Sequence, residues 1–318
     1  MPVGYLCQFA FCVPQRKEHK ICKNNIKSLL AQAEKLRRHN RQGSYKTKER
    51  YFEAYKRFLQ YLAETYRLEK IANISGKHLS GYVDYMQAKG LAASTIKTDL
   101  AAIRFWHDKI SDAKYVLPSN DEFSLERRKF GGVDRTWSLK EYIRMCWVCI
   151  DKKRYDYEMC ILIARYIGLR LHEVMRIDTA IARAARKNGY ITIKGKGGKV
   201  RDVPVNIHIQ DKFEEFLEAT PVGHKLFVPE GKDTHIAMKE LENFIAKYRK
   251  HIQDENSTSP LTFHGLRHTF AAEAYQKLID EGKTEYEARK QVSQWLGHER
   301  DDVTRIYLSS IKDGDVDV

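Results

Sequence analysis

A mainly helical chain in two domains, the second carrying a small β-sheet, is the fold class this sequence predicts, and three observations predict it. Apolar residues recur at three- and four-residue spacing in several long windows, the signature of amphipathic helices. Two short runs, Tyr190 to Lys194 and Val200 to Val205, alternate like strands instead. A polar, turn-forming stretch between residues 113 and 135 divides the chain.

The elements follow in order. From Lys46 to Tyr66, the residues Tyr51, Phe52, Tyr55, Phe58, Leu59 and Leu62 make one apolar helix face that must pack on something. Helical runs from His78 to Lys89 and from Ser94 to Lys109 follow, separated by Gly90, which suits a helix C-terminus. Residues 45–125 therefore read as a helical domain, and 113–135 as a linker centred on Leu117-Pro118-Ser119-Asn120-Asp121 and the pair Gly131-Gly132. Ser138 followed by Glu141 is a capping-box pattern that opens a second domain, 136–318, with a helix to about Ile150 and another from Tyr157 to Ile167. The two strands are joined by Gly195-Lys196-Gly197-Gly198-Lys199 and read as a hairpin. Beyond Asp211 the pattern returns to helices, including Leu241 to His251, Arg267 to Asp280 and Tyr286 to Leu296.

Composition narrows the function classes. The 318 residues carry 56 Lys and Arg against 42 Asp and Glu, a net charge of +14 that favours a polyanionic partner such as nucleic acid. Residues 1–50 hold twelve of the basic side chains and three acidic ones, so the segment 1–44 reads as a basic N-terminal extension able to contact DNA. No run approaches the roughly 20 apolar residues a membrane helix needs, and the N-terminus lacks a leader pattern, which predicts a soluble cytoplasmic protein. Six cysteines are too few for a disulfide scaffold. The set Cys7, Cys12, His19 and Cys22 fits no zinc spacing, and Cys146 and Cys149 read as packing residues.

Several residues could carry chemistry. Arg170 and Glu173 lie at the glycine-punctuated junction Gly168-Leu169-Arg170-Leu171-His172-Glu173, where an arginine is ordinarily just a paired side chain. Lys196 sits at a glycine-rich hairpin tip that can approach a phosphate closely, but Lys194 and Lys199 are rivals that spacing does not separate. In Thr262-Phe263-His264-Gly265-Leu266-Arg267-His268, His264 and Arg267 are three apart and can share one side of a helix start, pairing a proton carrier with a phosphate fork. Gly265 occupies the position where a zinc H-E-x-x-H motif needs glutamate, so His264 and His268 do not read as a metal pair. His298 in Leu296-Gly297-His298 and Tyr307 complete the set, and a phenolate can attack phosphorus to leave a phosphotyrosyl ester.

The order Arg, Lys, His-x-x-Arg, His, Tyr resembles the tyrosine recombinase family, the lambda-type phage integrases and their relatives, over most of the chain. The resemblance implies a helical SAM-like core-binding domain and a mixed α/β catalytic domain that close on DNA as a C-shaped clamp. It makes Arg170, Lys196, His264, Arg267, His298 and the nucleophile Tyr307 the catalytic set, with Glu173 in support. It points to Lys46, Lys48, Arg50, Lys97 and Arg104 as DNA-backbone contacts. It further implies double-stranded DNA as substrate, a homotetramer assembled on it, an optional accessory DNA-bending or excision factor, and neither metal nor other cofactor. The integrase of a mobile element is the expected role, ahead of a chromosome- or plasmid-dimer resolving recombinase and a type IB topoisomerase-like enzyme. Two departures from compact relatives stand out: extra residues from about Lys277 to Glu287, and His172 where a small hydroxyl residue is common.

Overall fold

The computed structural model describes residues 16–40, 45–126, 133–195, 198–255, 257 and 259–297. The chain divides into two units, Met1–Arg128 and Lys129–Val318.

In the first unit, helix α2 (Tyr45–Tyr66) buries Phe52, Tyr55, Phe58, Leu59 and Leu62, the face its periodicity predicts. Helices α3 (Gly76–Ala88) and α4 (Ala93–His107) pack on it, and the α4 residue Trp106 stands edge-on to Phe52 with ring centroids 5.5 Å apart. Arg57 holds the buried Asp99 with two hydrogen bonds of 3.0 and 2.9 Å, joining α2 to α4.

Two findings extend the sequence reading. Within the basic N-terminal segment, α1 (Arg16–His39) inserts Leu29 and Ala33 into the same core, with Ile26, Leu30 and Leu36 beside them. Its outer face exposes Lys23, Lys27, Lys35, Arg37 and Arg38. The side chains of Asn25 and Gln32 donate to the carbonyls of Arg67 and Glu69 at 3.0 and 2.7 Å, fixing α1 to the end of α2. Charge masked this helix in the sequence, because its apolar stripe is narrow. Removing residues 1–43 is therefore expected to uncover the core and destabilise the first unit by about 2–4 kcal/mol, the scale for losing one or two fully buried side chains. Thermal unfolding of the truncated chain measures this, and an unchanged transition would refute the packing role.

The linker is also shorter than its composition suggests. Leu117, Phe123 and Leu125 pack on the helical core, and Lys114 N–H donates to Ala72 O at 3.0 Å. Arg104 donates to Pro118 O at 2.7 Å and Asn120 Oδ1 at 2.8 Å, and Lys97 Nζ to Glu126 O at 2.8 Å.

The core of the second unit takes in Trp137, which is buried and whose N–H and indole donate to Thr269 Oγ1 and Thr262 O at 2.8 and 3.0 Å. Helices α5 (Leu139–Asp151) and α6 (Tyr155–Ile167) follow, then the single turn α7 (Leu171–Val174) and α8 (Thr179–Asn188). The Ser138–Glu141 capping box forms, with Glu141 N–H donating to Ser138 Oγ at 3.1 Å. Glu141 also reaches across to accept from Asp254 N–H at 2.9 Å. Helix α8 went unread because its buried positions are the small residues Thr179, Ala182 and Ala185.

Strands β1 (Tyr190–Lys194) and β2 (Val200–Pro204) pair antiparallel, Tyr190 opposite Pro204 and Lys194 opposite Val200. Ile191, Ile193 and Val203 face the core. Helices α9 (Ile207–Ala219), α10 (Thr234–Ile252), α11 (Phe263–Asp280) and α12 (Glu285–Leu296) complete the unit. The extra residues near 277–287 are the last turn of α11, a short turn and the capped start of α12, where Glu287 N–H donates to Thr284 Oγ1 at 3.3 Å. No helix among the described residues is long and apolar enough to cross a membrane.

Candidate active site

Two turns and one helix start meet in the second unit. Gly168 ends α6 in the left-handed conformation (φ 71°), which releases the chain into Leu169 and places Arg170 as the residue that caps α7. From there Arg170 N–H donates to Glu173 Oε2 at 2.8 Å, and its guanidinium to Oε1 at 3.2 Å. A capping carboxylate at a helix start is favourable in itself. Here it also fixes the arginine's direction.

Glu173 is fully buried and has a second partner. Arg201, on β2, donates to both of its oxygens at 3.0 and 2.8 Å. Burial disfavours the carboxylate, but the hydrogen bonds from Arg201 and the Arg170 N–H, with the charges of both arginines, prevail and hold its pKa at about 2.

Thr262 caps α11, accepting from Gly265 N–H at 3.2 Å, and the first turn then carries His264 and Arg267. Arg267 is fully buried, its two terminal nitrogens donating to Gly168 O and Leu296 O. It thus ties the turn before Arg170 to the end of α12. His264 lies at the surface, yet protein crowds its ring. Desolvation first, then the charges of Arg267, Arg170 and Arg135, lower its pKa to about 4, so it is a neutral proton acceptor at pH 7. His268 lies inside the helix packing, its ring perpendicular to that of His264 at 5.2 Å, and burial pushes its pKa down to about 3.

Arg170 and His264 open onto one cavity of about 470 Å³, shared with His172 and with Lys239, Asn243 and Arg249 of α10. The structure therefore brings together Arg170, Glu173, His264 and Arg267. Lys196, His298 and Tyr307 lie outside the described residues, as does the side chain of Lys46. Lys48 is half-buried and Arg50 exposed on α2, while Lys97 and Arg104 are engaged with the segment 113–126. Among the described residues no three His, Cys, Asp or Glu side chains cluster as metal ligands. The residue that sequence reading missed is Arg201. Its signal was present: strand alternation puts it on the inner face, opposite Ile193, where a charge demands a buried partner.

Residues 135–313 match the phage integrase family, and residues 35–110 match the phage integrase N-terminal SAM-like domain. The tyrosine recombinase XerC of Natranaerobius thermophilus is 23% identical over 276 residues, 83% of this chain and 88% of that protein. The tyrosine recombinase XerD of Halalkalibacterium halodurans is 22% identical, over 81% of this chain and 84% of that protein. Among solved structures, a lambda integrase dimer bound to a COC′ core site superposes with a TM-score of 0.64 at 14% identity, covering 98% of this chain and 85% of that one. The XerH site-specific recombinase on palindromic difH does so with a TM-score of 0.58 at 21% identity, covering 93% and 85%. A family match across more than half of the chain, on a fold shared with these enzymes, places it: the chain belongs to the phage integrase family, the tyrosine recombinases that carry out site-specific DNA recombination.

Proposed function

We propose that this recombinase integrates a mobile element by cutting and rejoining double-stranded DNA through a 3′-phosphotyrosyl intermediate, and that it excises the element by the same chemistry. The observation that carries this reading is the opening of Arg170 and His264 onto one cavity, with the buried Glu173 bonded to Arg170 and the buried Arg267 bonded to the turn before it. The Tyr307 oxygen attacks the scissile phosphorus, forming the ester as the bond to the 5′-oxygen breaks. His264 assists removal of the phenol proton, Lys196 protonates the departing 5′-oxygen, and His298 donates a hydrogen bond to the phosphate. Arg170 holds the non-bridging oxygens, and Arg267, buried behind it with its terminal nitrogens on the Gly168 and Leu296 carbonyls, adds positive charge that offsets what builds there, the work a divalent ion performs in other phosphoryl-transfer sites. The 5′-hydroxyl of another strand reverses the attack, so the bond energy is conserved without ATP.

One protomer cuts one strand, so exchange between two duplexes takes a tetramer assembled on DNA. Lys48, Arg50 and the basic outer face of α1 supply backbone attraction, together with Lys46, and an accessory DNA-bending or excision factor would set direction. The protein would work in the cytoplasm at the nucleoid. A second reading, dimer resolution, is favoured by the similarity to XerC and XerD over most of their lengths. It uses the same chemistry at a different pair of sites.

Nicked duplexes of randomised sequence test the reading, because loss of the short cleaved fragment traps the covalent adduct. Adduct is expected in excess EDTA, with the nucleotide on the Tyr307 peptide, and none with Tyr307→Phe. Cleavage that stops on chelation and returns with Mg²⁺ would overturn the mechanism. The captured sequences then separate the roles: element ends support integration, and a chromosomal site supports resolution. Relaxation of any supercoiled plasmid would indicate the topoisomerase-like alternative.

A further inference from the structure

Arg201 makes more connections than a strand residue needs. Its side chain is 9% exposed, and it spans three parts of the second unit. Two nitrogens bind the Glu173 carboxylate that orients Arg170, and Nε donates to Trp295 O at 2.7 Å, at the end of α12. The backbone closes around it from both sides. A side chain at Gly195 would stand 3.2 Å from Arg201 Nη1 and 3.7 Å from Glu173 Oε1, and one at Gly297 would stand 3.1 Å from Nη1. Both are glycines, and a Cβ at either would press the arginine by a few tenths of an ångström.

Gly195 begins the hairpin turn, its N–H donating to Lys199 O at 2.7 Å. It is also the residue bonded to Lys196. The root of the turn therefore rests on the same ion pair that directs Arg170. A fork held by two carboxylate oxygens and a carbonyl has one geometry, whereas a lysine in its place would satisfy only part of it.

We propose that Arg201 is a positioning residue: through the Glu173 carboxylate it sets the hairpin turn in register with Arg170 and the end of α12, so that the general acid meets the leaving oxygen while the phosphate is held. This rests on the phosphotyrosyl reading and on an acid carried by the turn. A residue that only stabilised the fold would slow every substrate alike when replaced. A residue that places the acid would matter far less where no acid is required.

The test uses the full-length protein, a captured site, and two versions of it, one normal and one with sulfur at the 5′-bridging position, where the thiolate leaves without a proton. Arg201→Ala is expected to slow adduct formation on normal DNA by about a hundredfold, the scale of an ångström-sized misplacement, with DNA affinity unchanged. On the sulfur substrate it is expected to react nearly as fast as the unaltered protein, and Arg201→Lys should fall between. Because Arg201→Ala strands a buried carboxylate, Arg201→Lys, which keeps a cation beside Glu173, is the variant to read should Arg201→Ala lose its fold, and it should show the same split in smaller degree. Equal slowing on both substrates, or no slowing, would overturn the proposal. Lys196→Ala separates the two ideas. If it is rescued by sulfur and Arg201→Ala is not, the inference fails and the mechanism stands. If Arg201→Ala is rescued and Lys196→Ala is not, the positioning role stands and the acid is another lysine of the turn. If neither is rescued, both fail.

Discussion

Arg267→Ala is expected to lower the rate of adduct formation by about a thousandfold or more, the range for removing an arginine that stabilises a phosphoryl-transfer transition state. The side chain is fully buried, with terminal nitrogens on the carbonyls of Gly168 and Leu296. Truncation removes a positive charge from beneath the Arg170 turn and strands two buried carbonyls, each costing about 1–3 kcal/mol. The loss of rate should therefore come with a lower thermal transition. Arg267→Lys restores the charge but not the fork, so it should recover part of the stability and little of the rate. Single-turnover cleavage beside thermal unfolding measures both. A folded Arg267→Ala protein cutting within tenfold of the original would remove Arg267 from the catalytic set.

The second large effect is at the hairpin. Lys196→Ala is expected to slow cleavage of normal DNA by roughly a hundred- to ten-thousandfold, the range for losing a general acid, and to cleave the 5′-bridging sulfur substrate almost normally. Lys194 stands exposed at the end of β1 and Lys199 just before β2, one on each side of the turn. Neither Lys194→Ala nor Lys199→Ala should show the selective rescue. Should Lys199→Ala be the rescued protein, the acid is Lys199.

The sequence was most legible where one rule acts alone. Phe52, Tyr55, Phe58, Leu59 and Leu62 recur with helical period because a single face of α2 is buried, and the Ser138 capping box is local chemistry. Legibility failed where burial needs little apolar surface. Helix α8 packs through alanines, and α1 sets a narrow stripe of Leu29 and Ala33 against a strongly basic exterior, so its charge was legible and its place in a core was not. In the site, Arg170, His264 and Arg267 could be found because their chemistry is written in short motifs. Arg201 is separated from Glu173 by 28 residues and from Trp295 by 94, so only folding reveals what it joins. Arg104 shows the converse: a cation that the family resemblance assigns to DNA donates to its own chain at Pro118 and Asn120.

The last carbonyls of a helix carry the negative end of its macrodipole, roughly half an elementary charge, and would repel an approaching phosphate. At the end of α12 two of these carbonyls, of Trp295 and Leu296, are each capped by a guanidinium, from Arg201 and Arg267. A pole that would oppose a polyanion is thereby cancelled from within the protein.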